Sequence, residues 1–92
     1  MALKRIRHKG LRELWETGRT SRVNKQLHRN ALAIMDYLQR IRDLGQCAGV
    51  KDFHRLSGDR KGEYSMHVTG NWCITFEFDG KDVTILDLED YH

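Results

Sequence analysis

The hydrophobic period of this 92-residue chain changes near residue 52, and that change narrows the folds open to it. Upstream, Leu27, Ala31, Ile34, Met35, Leu38 and Ile41 recur at helical spacing. They form one buried stripe on a helix expected over residues 24–43. Downstream, apolar and polar residues alternate. Tyr64, Met66 and Val68 interleave with Glu63, Ser65, His67 and Thr69, and Trp72, Ile74, Phe76 and Phe78 interleave with Cys73, Thr75 and Glu77. Each such strand has one dry face and one wetter face. The dry face needs a helix layer to cover it. The expected class is α+β, with two N-terminal helices packed on one face of a twisted antiparallel sheet.

The remaining elements follow from local signals. A short edge strand is expected at 3–7 and a helix at 8–17, whose Leu11, Leu14 and Trp15 face inward. Gly18 follows that helix where a C-terminal cap requires positive φ. Asn24 or Ser21 can cap the long helix, and residues 45–49 form the loop that leaves it. Strands are expected at 52–56, 63–69, 72–78 and 82–88. A two-residue loop at Gly70-Asn71 would pair Thr69 with Trp72 and mix the faces. A three-residue loop over 69–71 pairs Val68 with Trp72 and Met66 with Ile74, and sets His67 opposite Cys73 on the wet face. Asp79-Gly80 turns the next hairpin. Trp72 then points into the core, and Ser65, His67, Cys73, Thr75 and Glu77 line an open face.

Composition bounds the setting. The chain has no proline and no low-complexity run, and 32% of its residues are charged, as in a soluble globular protein. One domain spanning 1–92 is expected. No apolar run approaches the roughly 20 residues of a membrane span. The basic start, Met1 to Lys9, lacks the apolar centre of a signal peptide. These features suggest a cytoplasmic protein. Cys47 and Cys73 lack any secretion context, so both are expected as reduced thiols. Cys-x-x-Cys and His-Glu-x-x-His spacings are missing, so neither a metal nor another cofactor is expected.

The net charge is +3 and the isoelectric point about 9.1, but the charge is unevenly spread. Lys4, Arg5, Arg7, His8, Lys9 and Arg12 crowd the start, and Arg19, Arg22, Lys25, His28 and Arg29 follow. The acids Asp79, Asp82, Asp87, Glu89 and Asp90 collect late. A basic N-terminal half suits a polyanion such as RNA. It equally suits a solvated helix surface.

Candidate chemistry sits at the C-terminus and in one loop. Glu89-Asp90-Tyr91-His92 brings an acid, a phenol and an imidazole together, groups that move protons near neutral pH. His54 is either a satisfied structural histidine or a partner of Asp90 and His92 at the sheet end. Arg60 and Lys61, in the glycine-flanked loop 56–62, could meet phosphates, or the loop is an ordinary surface turn. Tyr91 could stack on a base.

Several of these segments together resemble the HigB family of bacterial toxins, within the RelE/ParE superfamily. They are His8-Lys9-Gly10-Leu11 with Gly18, Leu56-Ser57-Gly58-Asp59-Arg60, Tyr64-Ser65, Asn71-Trp72 followed by Ile74-Thr75-Phe76, and Glu89-Asp90-Tyr91-His92. The resemblance covers essentially the whole chain. It implies a RelE-like toxin fold and an mRNA interferase that cuts codons in the ribosomal A site without a metal. It also implies neutralisation by a HigA-type helix-turn-helix antitoxin. The family's catalytic positions carry over to His54, Asp90, Tyr91 and His92. Lys4, Arg7, Lys9, Arg12, Arg60 and Lys61 become candidates for contact with mRNA and ribosomal RNA. Two positions depart from the pattern. Ser57 stands where many members have Lys. Cys73 stands where the pattern has Arg, whose charge would stabilise the phosphate in the transition state. A neutral thiol cannot replace that fork, so this copy is expected to be weakened. The other readings are a non-catalytic inhibitor of DNA gyrase of the ParE kind, and an RNA- or protein-binding module.

Overall fold

The computed structural model describes residues 1–90. Two helices lead the chain: α1 (Lys9–Thr17) and α2 (Lys25–Arg40). His8 Nδ1 accepts from the Leu11 amide at the start of α1, and Gly18 closes it at φ 79°. Asn24 Oδ1 accepts from the Gln26 amide and caps α2. That helix ends at Arg40, short of the expected 43. Ile41 is already extended, yet it stays buried at the end of the stripe. The Met1 amino group donates to the Gln39 and Ile41 carbonyls, meeting the negative end of the helix with a positive charge.

Among the described residues, four strands form one antiparallel sheet in the order β1-β2-β3-β4. They are β1 (His54–Arg55), β2 (Glu63–Thr69), β3 (Trp72–Phe78) and β4 (Val83–Asp90). The α2 stripe lies on the dry face of this sheet, and α1 packs against α2. Leu11, Leu14, Ile34, Met35, Leu38, Met66, Ile74, Phe76 and Leu86 fill the space between the layers and are fully buried. No described helix is long and apolar enough to cross a membrane.

Four sequence expectations about strands need correction. The segment 3–7 is not a full strand; it touches β4 through isolated parallel bridges, Leu3 to Val83 and Ile6 to Leu86. The segment 52–56 shortens to two paired residues. The last strand runs on to Asp90, so Glu89 and Asp90 are rungs of the sheet rather than a tail. The β2–β3 hairpin turns on Gly70-Asn71, with Thr69 paired to Trp72. The face conflict this creates is absorbed between His67 and Thr69, where the register shifts and Val68 becomes an extra, buried residue. Below the shift, Met66 pairs with Ile74 and His67 with Cys73, as expected.

A second bulge lies in β4. Thr75 pairs with Asp87 and Glu77 with Thr84, so Ile85 and Leu86 face Phe76 alone. Ile85 takes φ 53°, a left-handed conformation that a β-branched residue rarely adopts. The bulge swallows one residue and lets Leu86 and Leu88 point inward while Asp87 and Glu89 share the opposite face with Thr75 and Cys73.

Candidate active site

Aromatic packing fixes the edge of the sheet that carries His54. Phe53, Tyr64 and Phe76 stack in sequence, with ring centroids 5.7 Å apart for Phe53–Tyr64 and for Tyr64–Phe76. The Arg55 guanidinium lies over the Tyr64 ring at 5.4 Å. With Phe53 anchored on the dry side, alternation sends His54 to the other face. The chain reaches this point through a left-handed pair, Lys51 at φ 49° and Asp52 at φ 53°. That turn hands the Lys51 carbonyl to the His67 amide and the Asp52 carbonyl to His54 Nδ1, at 2.7 and 2.9 Å.

These contacts decide where a neutral His54 keeps its lone pair. A carbonyl only accepts, so Nδ1 carries a proton. Nε2 then bears the lone pair, 3.1 Å from the Ser65 hydroxyl. His54 is exposed, while Ser65 beneath it is buried. Beside it opens a cleft of about 160 Å³ lined by His54, Ser65, His67, Asn71, Trp72 and Cys73. Trp72 thus serves two sides: it packs against the core, as expected, and it also borders the cleft. His67 Nε2 donates to the Gly70 carbonyl at 2.9 Å.

The wet face is not open along its length, contrary to expectation. Ser65, Cys73 and Thr75 are all buried. Arg60, from the 3-10 turn Gly58–Arg60, covers part of this face. Its Nη1 and Nη2 donate to the two Glu89 oxygens at 2.7 and 2.5 Å, and Nη2 and Nε donate to Glu63 at 2.7 and 3.3 Å. Thr75 Oγ1 donates to the same Glu89 carboxylate at 2.5 Å. The Arg60 bonds above all, then those from Thr75, hold Glu89 below the usual carboxylate range against the opposing effect of burial.

Cys73 pairs across β3–β4 with Glu89. Burial raises its thiol pKa above the ordinary 9.0, and the Glu89 charge adds to this. The side chain is therefore a neutral thiol at pH 7. Cys47 is also a free, buried thiol, in the core. Among the described residues, no three of His, Cys, Asp and Glu converge as metal ligands.

The candidate residues spread over both edges of the sheet. His54 is on β1 and Asp90 on β4, with β2 and β3 between. Asp90 pairs with Trp72 at the strand end and its charge reaches Cys73, while Glu89 is the carboxylate paired directly across from Cys73. Tyr91 and His92 lie outside the described residues. Ser57 precedes the Arg60 turn and borders a shallow pocket with Lys61. The basic candidates do not form one patch. Lys4 pairs with Asp82 at 3.3 Å, at the end of β4 remote from Asp90. Arg7 is bonded through its amide to Leu86, and its charge reaches Glu89. Lys9 and Arg12 ride on α1.

Sequence reasoning named Glu89 in the C-terminal cluster and Thr75 on the wet face but gave neither a partner, and it missed Glu63 as a member of the site and the Asp52 carbonyl as the partner of His54. Alternation already put Thr75 on the right face. The pairing of Glu89 with Cys73 was hidden by the β4 bulge, and a backbone acceptor leaves no mark in a sequence.

Two comparisons bear on this arrangement. The family described as "RelE-like toxin of type II toxin-antitoxin system HigB" matches residues 4–92. The chain is also 42% identical over 94 residues to the endoribonuclease HigB of Proteus vulgaris, across 98% of this chain and 99% of that protein.

Proposed function

Because the chain belongs to the HigB family of RelE-like toxins, we propose that residues 1–92 form one toxin domain that cuts mRNA through His54 and the end of β4. Membership makes it the toxin of a type II toxin–antitoxin pair, so an antitoxin is its partner. It is an endoribonuclease, as its Proteus vulgaris relative is named. The finer proposals are a HigA-type helix-turn-helix antitoxin, and a ribosome that presents the codon in its A site.

The observation that carries the catalytic reading is the His54 contact with the Asp52 carbonyl, which makes Nε2, in contact with the Ser65 hydroxyl, the basic nitrogen of the ring. In the reaction, His54 takes the proton of a ribose 2′-OH. The 2′-oxygen attacks the adjacent phosphorus, and the bond from phosphorus to the 5′-oxygen breaks. His92 supplies the proton to that oxygen, Asp90 supports the proton transfers and Tyr91 orients the nucleotide. The products are a 2′,3′-cyclic phosphate and a 5′-hydroxyl, and the scheme needs no metal. Lys4, Arg7, Lys9, Arg12 and Lys61 supply positive charge for RNA. The codon is ordered by the ribosome, so proximity carries much of the rate.

At position 73 the scheme lacks a cation, because the thiol is neutral, and the rate is correspondingly reduced. Primer extension on a reporter mRNA in a reconstituted translation system tests the whole reading. Cuts within codons of ribosome-bound mRNA, with 5′-hydroxyl ends, are expected. Efficient cutting of naked RNA would refute the ribosome-dependent division of labour.

A further inference from the structure

We propose that Arg60 is a positioning residue that fixes the catalytic end of β4 through Glu89, and that it does not bind RNA phosphate. This rests on the reading above, that the C-terminal end of β4 carries chemistry. Among the described residues, four of the five Arg60 N–H groups are spent on carboxylates: Nε and one Nη2 hydrogen on Glu63, the other Nη2 hydrogen and one Nη1 hydrogen on Glu89. A phosphate would have to displace a bidentate carboxylate and then sit beside two retained negative charges. The geometry instead suits a tie between distant parts of the chain. Arg60 and Glu89 are 29 residues apart, and the pair joins the 3-10 turn to the penultimate described rung of β4. Buried Thr75 holds the same carboxylate from β3. Glu89 immediately precedes Asp90, Tyr91 and His92, so its carboxylate is the last side-chain anchor before them. The fork geometry matters as much as the charge: a planar guanidinium can hold two carboxylates at once, and an ammonium offers no such template.

The test uses the full chain and the variants Arg60→Gln, Glu89→Gln, their double and Arg60→Lys. Three readouts separate a tie from a phosphate contact: kcat and KM of mRNA cleavage, the salt dependence of ribosome binding, and hydrogen exchange at the β4 amides. Each Gln variant is expected to lower kcat about tenfold, a modest misplacement by the standard of such effects, with KM little changed. The double is expected to match the worse single, because both remove one link. Exchange at the Asp87 and Glu89 amides, which face β3, should quicken equally in all three, and Lys should restore neither rate nor protection. The salt slope should stay that of the parent. A slope shallower by about one in Arg60→Gln is the mark of a lost phosphate contact and overturns the proposal. So do losses that add in the double, faster cleavage in Glu89→Gln, or full rescue by Lys. If the parent itself does not cut, the nuclease reading fails, while the exchange arm still decides whether the tie exists.

Discussion

Replacing Cys73 by Arg should restore the cation that the transition state lacks, and its size can be worked from the site. One preorganised donor to developing phosphate or oxyanion charge is worth about 3–4 kcal/mol, or roughly 10²–10³ in kcat. The full value is not expected here. Residue 73 pairs directly with Glu89, whose carboxylate already binds Arg60 and Thr75. A new guanidinium would share its charge with that carboxylate. About 2 kcal/mol should remain, or roughly thirtyfold. Primer extension in a reconstituted translation system, with the parent and Cys73→Arg at equal concentration, gives the ratio of single-turnover rates. Cys73→Ala is the control. It exchanges one neutral group for another and should stay within about twofold of the parent, since chemistry at this position depends on charge. Far-ultraviolet circular dichroism checks that each variant is folded. Equal rates for the parent and the Arg form would refute the reasoning, because the position would then lie outside the reach of the scissile phosphate. A slower Arg form would show that capture of Glu89 costs more than the cation contributes.

Other outcomes follow from the same contacts. His54→Ala should reduce cleavage by roughly 10²–10⁴ with little change in melting temperature, the range for loss of a positioned acid or base; primer extension and calorimetry on one sample check both. Ser65→Ala should lower cleavage only a few-fold while leaving the Asp52 contact that holds His54 Nδ1. Glu89 is held below its ordinary 4.5, so its contribution is complete above that pH and is lost as the pH falls through the depressed value. Arg60 is 40% exposed, so solvent screening limits this contribution to about 1 kcal/mol. Melting curves from pH 6 to pH 2.5 should fall less steeply for Arg60→Gln than for the parent; parallel curves would remove the ion pair from the stability account.

Where side-chain pattern alone decided an element, the sequence was readable. The α2 stripe, its Asn24 cap, the Gly18 stop and the inward faces of β2 and β3 all follow from spacing and residue type. What escaped were departures from regular period. The Val68 and Ile85 bulges each add one residue to a strand, and nothing in Val or Ile announces that. The candidate site suffered at the same points. His54 and Cys73 could be assigned to a face by alternation. The backbone carbonyl that orients His54, and the long-range pairing of Arg60 with Glu89, depend on a turn and a register set by the whole fold.

The β4 bulge is costly, and a simple substitution pair can show what it contributes. Eight residues of β4 face seven of β3, so a regular ladder would leave one residue that throws the faces out of phase. Ile85 absorbs it at φ 53°, at a cost of about 1–2 kcal/mol for an L-residue in the left-handed region. In return, Leu86 and Leu88 stay buried and Glu89 stays beside Cys73 and Arg60. In an ordinary strand, Gly is less stable than Ala by roughly 0.5–1 kcal/mol. At position 85 the order should invert. Ile85→Ala and Ile85→Gly both lose a half-buried side chain, but only Gly relieves the left-handed strain. Ile85→Gly should therefore be the more stable of the two by about 1 kcal/mol, read from urea denaturation midpoints at equal slope. If Ala is the more stable, residue 85 is not left-handed in solution. The phase of β4 would then need another explanation, and with it the alignment of Glu89 against Cys73.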